Sequence, residues 1–202
     1  MPAKNVVRAY DSPAYYHIYN RGANKSAIFL DDKDRAKFLS LIDRHLDPEL
    51  ISKRSDGQLY EKYDVQIPAY CLMDNHFHLL AYQWEDKESI TKFLKSITTA
   101  YTMYFNKKYR HSGALFQGVF KASRISDDSY LLHITRYIHL NPRRYLGYQW
   151  SSIRYYLGAS KPPAWLRPRL VSDMSPEQYK DFVQGYEGKK AELELLKHQL
   201  AI

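Results

Sequence analysis

The stretch Tyr70-Cys71-Leu72-Met73-Asp74-Asn75-His76-Phe77-His78-Leu79-Leu80-Ala81-Tyr82 decides the fold. Two runs rich in apolar and aromatic residues flank Asp74-Asn75, a pair suited to a tight turn, so residues 63–73 and 76–82 read as the two strands of a hairpin. Pro68 cannot donate a ladder hydrogen bond, which assigns the first strand to an edge or a bulge. Working outward, Tyr15-Tyr16-His17-Ile18-Tyr19 reads as an earlier strand that ends at the turn Asn20-Arg21-Gly22. Between it and the hairpin, Asp31 and Asp32 are candidate N-caps for a helix over 33–45, with Ala36, Phe38, Leu39, Leu41 and Ile42 at helical spacing. Asp47-Pro48 stops that helix. After the hairpin, Ile90, Phe93, Leu94, Ile97, Ala100, Tyr101, Tyr104 and Phe105 give 88–108 a clear 3.6-residue stripe. A loop and strand over 116–125 follow, and Ser126-Asp127-Asp128 caps a helix running to about residue 140, before Pro142.

The order is β-α-β-β-α-β followed by a helix. It predicts an α+β, ferredoxin-like antiparallel sheet with helices on one face. Residues 1–147 are expected to form this domain. Residues 148–202 read as a partly helical C-terminal extension with a Pro-rich link, Lys161-Pro162-Pro163, and a helical tail from Ser175 broken near Gly185 and Gly188.

The chain has 202 residues, 30 Lys+Arg against 22 Asp+Glu, a formal net charge of +8 and 45% hydrophobic residues, which suits one globular domain with appendages. No apolar run approaches the ~20 residues that a membrane span needs. The first eight residues lack the apolar core of a signal peptide, so a cytoplasmic protein is expected. Cys71 is the single cysteine, which excludes an internal disulfide and a cysteine-based zinc cluster. Nineteen tyrosines among a basic surplus suit single-stranded nucleic acid, where cations track phosphates and rings stack on unpaired bases. Tyrosine also packs half-buried surfaces in any α+β protein.

Two sets of residues carry chemistry. Along a strand, residues two apart share a face, so His76 and His78 project together while Phe77 enters the core. Paired imidazoles can bind a divalent metal, and they can equally be a hydrogen-bonded or surface pair. Tyr137 and Asn141 are four apart and share one face of the last helix. A tyrosine hydroxyl beside a metal is a possible nucleophile and an Asn oxygen a possible third ligand. The plainer alternative is a packing Tyr and an Asn that ends the helix. Because Asn141 precedes Pro142, its dihedrals are pushed away from helical values and can carry its side chain off the Tyr137 face.

Together these stretches resemble the HUH (His-hydrophobe-His) single-tyrosine transposases, and within them the REP-associated tyrosine transposases. The matching segments are Tyr19-Asn20-Arg21-Gly22, Met73-Asp74-Asn75-His76-Phe77-His78-Leu79-Leu80, Gly113-Ala114-Leu115-Phe116-Gln117-Gly118, Phe120-Lys121-Ala122 and Tyr137-Ile138-His139-Leu140-Asn141-Pro142, in the family's order across roughly residues 14–146. The resemblance implies His76 and His78 as metal ligands with Asn141 as a third, Mg²⁺ or Mn²⁺ as cofactor, and Tyr137 as the nucleophile. It implies nicking and strand transfer of single-stranded, hairpin-containing DNA through a 5′-phosphotyrosine. The chain departs from relatives at Val119, commonly Arg, and at Arg143-Arg144-Tyr145-Leu146-Gly147, commonly Val-Arg-Ala-Gly after Asn-Pro. Those changes bear on DNA contacts more than on the chemistry.

His133, one turn before Tyr137, is a candidate base and equally a packed helix histidine, whereas His139 points to another face and reads as structural. Arg21, Lys92, Lys95, Lys107, Lys108, Arg110, Lys121, Arg124, Arg143 and Arg144 are candidate phosphate contacts, of which about half are expected to matter. A monomer and a homodimer with shared tyrosines are both compatible with the resemblance. A non-catalytic binder of DNA or RNA hairpins is the competing function. Retention of His76, His78 and Tyr137 together speaks against it, because a pure binder needs none of the three.

Overall fold

The computed structural model describes residues 10–186. Four strands, β1 (Ala14–Arg21), β2 (Val65–Met73), β3 (His76–Gln83) and β4 (Lys121–Ile125), form one antiparallel sheet in the order β2-β3-β1-β4. With α1 (Asp32–Leu46) and α2 (Ser89–Tyr109) as crossovers, this is the expected ferredoxin-like arrangement. Pro68 sits on edge strand β2 at a register shift between Gln66 and Ala69, the position its missing N–H allows.

Alternation along the strands builds two layers. Tyr16 and Ile18 of β1, with Phe77 and Leu79 of β3, meet Phe38, Leu41 and Ile42 of α1 and Phe93, Leu94 and Ile97 of α2 in the main core. α1 begins where its sequence says, at Asp31: this side chain accepts from the Asp34 N–H while the Asp34 carboxylate accepts from the Asp31 N–H, a reciprocal cap. The opposite sheet face carries Ala69, Cys71 and Leu80 and is covered by α3 (Asp128–His139) through Leu131, Ile134, Tyr137 and Ile138. The two crossover helices thus share one face and the helix that follows them takes the other.

Beyond residue 147 the chain is stitched to the outer edge of β2. The Leu72 N–H donates to the Trp150 carbonyl (2.9 Å), the Ser152 N–H to the Tyr70 carbonyl (3.0 Å) and the Arg167 N–H to the Ile67 carbonyl (2.9 Å). An exposed strand edge invites pairing with other chains, and this segment occupies it. Two short helices follow, α4 (Ile153–Tyr156) and α5 (Pro176–Gln184), the latter capped by Ser175 as its sequence suggests. The expected continuation of the helical tail past residue 186, with the break near Gly188, lies outside the described residues, as does the segment 1–9.

His139 joins α3 to this segment. Fully buried, it bonds the Tyr179 hydroxyl of α5 through Nδ1 (2.7 Å) and Ser152 Oγ through Nε2 (2.7 Å). Burial pulls its pKa from the ordinary 6.5 down to about 3. Between those values the unfolded chain holds a proton that the folded ring refuses. The stabilisation is therefore complete above about pH 6.5 and is lost as pH falls, by about 1.4 kcal/mol per pH unit. Urea unfolding between pH 7 and pH 4.5 is expected to show His139→Gln with a pH slope shallower than that of the unchanged chain by about that amount.

Candidate functional site

The antiparallel register places the candidate residues in rows. Tyr19 pairs with His78 on one side and with Lys121 on the other, Arg21 pairs with His76, and His17 pairs with Leu80 and Ser123. Directly paired residues share a face, so His17, Tyr19, Arg21, His76, His78 and Lys121 all lie on the side that α3 covers. Tyr137 completes the group from α3: its ring centroid lies 5.5 Å from that of His78 and 5.7 Å from that of His17, edge-on to both. The sequence-predicted nucleophile and the sequence-predicted imidazole pair therefore meet within one chain.

Each histidine of the pair is held through Nδ1. His76 Nδ1 lies 2.7 Å from Asn75 Oδ1, and His78 Nδ1 lies 2.9 Å from His17 Nε2. The two rings are 5.0 Å apart and nearly perpendicular. Held so, both would offer Nε2 to a cation, and partners on the second nitrogen of a metal-binding imidazole are the usual means of orienting it. Among the described residues no group of three or more His, Cys, Asp and Glu is placed to hold a metal ion. An oxygen donor such as Asn141, water or a phosphate would have to complete the shell. Asn141 is half-buried beyond the end of α3, with its Nδ2 donating to the Tyr137 carbonyl (2.9 Å). That bond ties it to the Tyr137 turn and leaves its acceptor atom, Oδ1, outside the interaction. The donor set fits a divalent cation that accepts mixed nitrogen and oxygen ligands.

His17 is the residue that sequence reasoning missed. It is 2% exposed, its ring stacks against Tyr19 (5.5 Å, 25°) and lies nearly parallel to His78 (13°), and burial pulls its pKa to about 3. The available signal was alternation: with Tyr16 and Ile18 in the core, a histidine between them must face the opposite layer.

His133 goes elsewhere. Its Nδ1 accepts from the Arg136 guanidinium (2.7 Å), its ring meets Phe182 of α5, and burial, then the Arg136 charge, lowers its pKa. With Nδ1 so engaged, the neutral ring carries its proton on Nε2 and has no lone pair left for a base's task. Arg136 in turn spreads its guanidinium over Phe182 and Tyr186 (4.2 and 3.7 Å). His133 and Arg136 thus fasten α3 to α5.

The candidate phosphate contacts divide. Arg21 is exposed and its Nε donates to Gln117 Oε1, while Lys121 stands over the Tyr19 ring, 5.8 Å from its centroid. Arg143 and Arg144 are exposed just beyond Asn141. Others belong to the opposite layer or to local pairs. Lys92 pairs with Glu88 (3.0 Å), Lys108 with Asp31 and Asp34 (2.8 and 2.7 Å), and Arg124 with Asp11 (2.9 Å). Lys95, Lys107 and Arg110 are exposed on α2 or at its C-terminus.

Loops at the histidine end of the sheet lock together. The Gly22 N–H donates to the Asn75 carbonyl, the Gln117 N–H to the Arg21 carbonyl, and Asn20 Nδ2 to the Gly118 carbonyl (3.1 Å). A Cβ on Gly22 would sit 2.0 Å from the Ser26 carbonyl oxygen, whereas one on Gly118 would meet nothing within 4 Å. In urea unfolding, Gly22→Ala is expected to lower stability by about 1–3 kcal/mol, and Gly118→Ala to change it by less than about 0.5 kcal/mol.

Comparison with known proteins fits this geometry. The family model described as transposase, IS200-like, matches residues 13–141, from the start of β1 to Asn141. Comparison with curated proteins returns no match. A solved structure of a REP-associated tyrosine transposase bound to a REP hairpin superposes with a TM-score of 0.55 at 15% identity, over 84% of this chain and 94% of that one. At that identity the likeness shows the shared fold.

Proposed function

Because this chain belongs to the IS200-like transposase family, we propose that it nicks and rejoins single-stranded DNA at hairpin-bearing sites through a covalent link to Tyr137. The observation that carries the reading is the meeting of Tyr137 with the His76–His78 pair in a single chain, 5.5 Å from His78 ring to ring. The hairpin carried by the structurally similar REP-associated transposase supports the choice of substrate.

His76 and His78, with Asn141 as oxygen donor, would hold the cation. Two imidazoles favour Mn²⁺ over the oxygen-loving Mg²⁺ at equal concentration. A bound divalent cation supplies Lewis-acid polarisation of the scissile phosphate. Tyr137 Oη forms a bond to phosphorus as the bond from phosphorus to the 3′ oxygen breaks. The phenol gives up its proton, and the departing 3′ oxygen takes one up and leaves as a hydroxyl. The link conserves the phosphodiester, so a second 3′-hydroxyl can attack the phosphotyrosine and release Tyr137 without ATP. A ring with ordinary pKa about 10 is a weak nucleophile at pH 7. Its seat between His17, His78 and α3 therefore matters for alignment as much as for activation. Arg21 and Lys121, on the same face, would steer the phosphate backbone into the site.

The test is a labelled single-stranded hairpin library incubated with Mn²⁺ or Mg²⁺ and resolved under denaturing conditions. A metal-dependent protein–DNA adduct is expected, lost entirely in Tyr137→Phe while hairpin binding persists. Tight binding with no adduct under either metal would overturn the enzymatic reading in favour of a hairpin binder.

The split among basic residues gives a second expectation. In filter binding across salt concentrations, Arg21→Ala weakens single-strand binding several-fold and reduces the log–log salt slope by about 0.7. Lys92→Ala, already paired on the opposite layer, leaves both unchanged.

A further inference from the structure

His17 occupies the centre of the site without belonging to any motif used above. Its ring is buried on β1, its Nε2 lies 2.9 Å from His78 Nδ1, and its own Nδ1 is buried with no hydrogen-bond partner. Only one proton can lie between the two imidazoles, and its position has consequences. If His17 Nε2 carries it, the neutral His78 has its proton on Nε2 and can offer that nitrogen to no cation. If His78 Nδ1 carries it, Nε2 of His78 presents a lone pair, and His17 must keep its proton on the buried, unpartnered Nδ1.

We infer that His17 is a positioning residue for His78: its Nε2 accepts the His78 Nδ1 proton and thereby sets the tautomer in which His78 Nε2 can ligate a cation. This deepens the reading of the site as a metal-dependent one and rests on it. The two histidines then have symmetrical supports, Asn75 Oδ1 behind His76 and His17 Nε2 behind His78. Those supports differ in kind. The Asn75 carbonyl oxygen can only accept, whereas an imidazole can accept or donate, so the His78 tautomer is one that His17 can set either way. The unpartnered Nδ1 of His17 marks the strained half of this arrangement. A buried N–H without an acceptor is unfavourable, a cost that the bond from His78 Nε2 to a cation would offset once His17 Nε2 has accepted the proton. Tyr19, stacked on the His17 ring, and the edge-on Tyr137 flank it where it lies nearly parallel to His78.

The experiment measures Mn²⁺ binding to the full chain by electron paramagnetic resonance, for the unchanged protein, His17→Phe and His17→Gln. Thermal unfolding serves as a check on the fold. His17→Phe keeps the ring and its stacking and removes the acceptor, so affinity is expected to fall about 10- to 100-fold. His17→Gln returns an amide oxygen near the place of Nε2 and is expected to recover most of the loss. Imidazole ¹⁵N spectra with diamagnetic Mg²⁺ or Zn²⁺ are expected to show His17 protonated on Nδ1, with its Nε2 bare and coupled across the hydrogen bond to the His78 Nδ1 proton, a signature that a merely structural role for His17 would leave unset. These spectra decide the matter if His17→Phe does not fold. Mn²⁺ affinity unchanged in a folded His17→Phe, or a His17 proton on Nε2 with metal present, overturns the inference alone. An unchanged protein that binds no Mn²⁺ overturns the metal-dependent reading and the inference with it.

Discussion

Everything in this molecule hangs on the register of β1 against β3. With Tyr19 opposite His78 and Arg21 opposite His76, the two-residue alternation sends Tyr16, Ile18, Phe77 and Leu79 into the core and His17, Tyr19, His76 and His78 to the opposite face. A slip of one residue would exchange the two sets. The pairing is pinned at the end nearest the site. The loop after β1 donates from Gly22 to the Asn75 carbonyl and from Ile28 and Phe29 to the Asp74 carbonyl, and Arg35 of α1 bonds the Asp74 carboxylate. The hairpin turn that carries the His76–His78 pair is thus held both by the loop after β1 and by α1. The lack of room for a Cβ at Gly22, against the Ser26 carbonyl and the Ile28 side chain, shows how tightly that loop folds on itself.

The same constraint explains the second half of the site. α3 brings Tyr137 to the histidines because its apolar residues fill the layer over Ala69, Cys71 and Leu80, while its other sides are fastened outward. His139 reaches Ser152 and Tyr179, and Arg136 reaches His133, Phe182 and Tyr186. The C-terminal segment therefore does two jobs at once: it occupies the β2 edge and it braces the helix that bears Tyr137, the proposed nucleophile. A phenol that must attack phosphorus in line gains from such bracing, since small misplacements are expensive in rate.

Much of this was legible in the sequence, and for identifiable reasons. The long stripe of α2, the Asp31 cap and the Asp74-Asn75 turn are local signals, and each element formed within one or two residues of its expected bounds. Pro68 even foretold its bulge. What lay beyond reach depended on contacts between distant segments. His17 looked like one more ring in an aromatic strand until β3 supplied its partner 61 residues away. His133 is four residues from Tyr137, yet Arg136 and Phe182 claim its ring. Counting basic residues could not separate Lys108, neutralised by two aspartates, from Arg21 on the histidine face. Nor could composition show that the stretch after residue 147 returns to the sheet rather than trailing from it.

The central claim is that Tyr137, held against His78, is the atom donor of a covalent protein–DNA link. Trypsin cuts after Arg136 and Arg143, which isolates residues 137–143 as a short peptide containing one tyrosine. Mass spectrometry of this peptide after reaction with a single-stranded hairpin and Mn²⁺, followed by nuclease trimming, tests the claim most directly. The account predicts a 5′-phosphonucleotide carried on Tyr137. A nucleotide attached to another residue, or cleaved DNA with peptide 137–143 left unmodified, would contradict it.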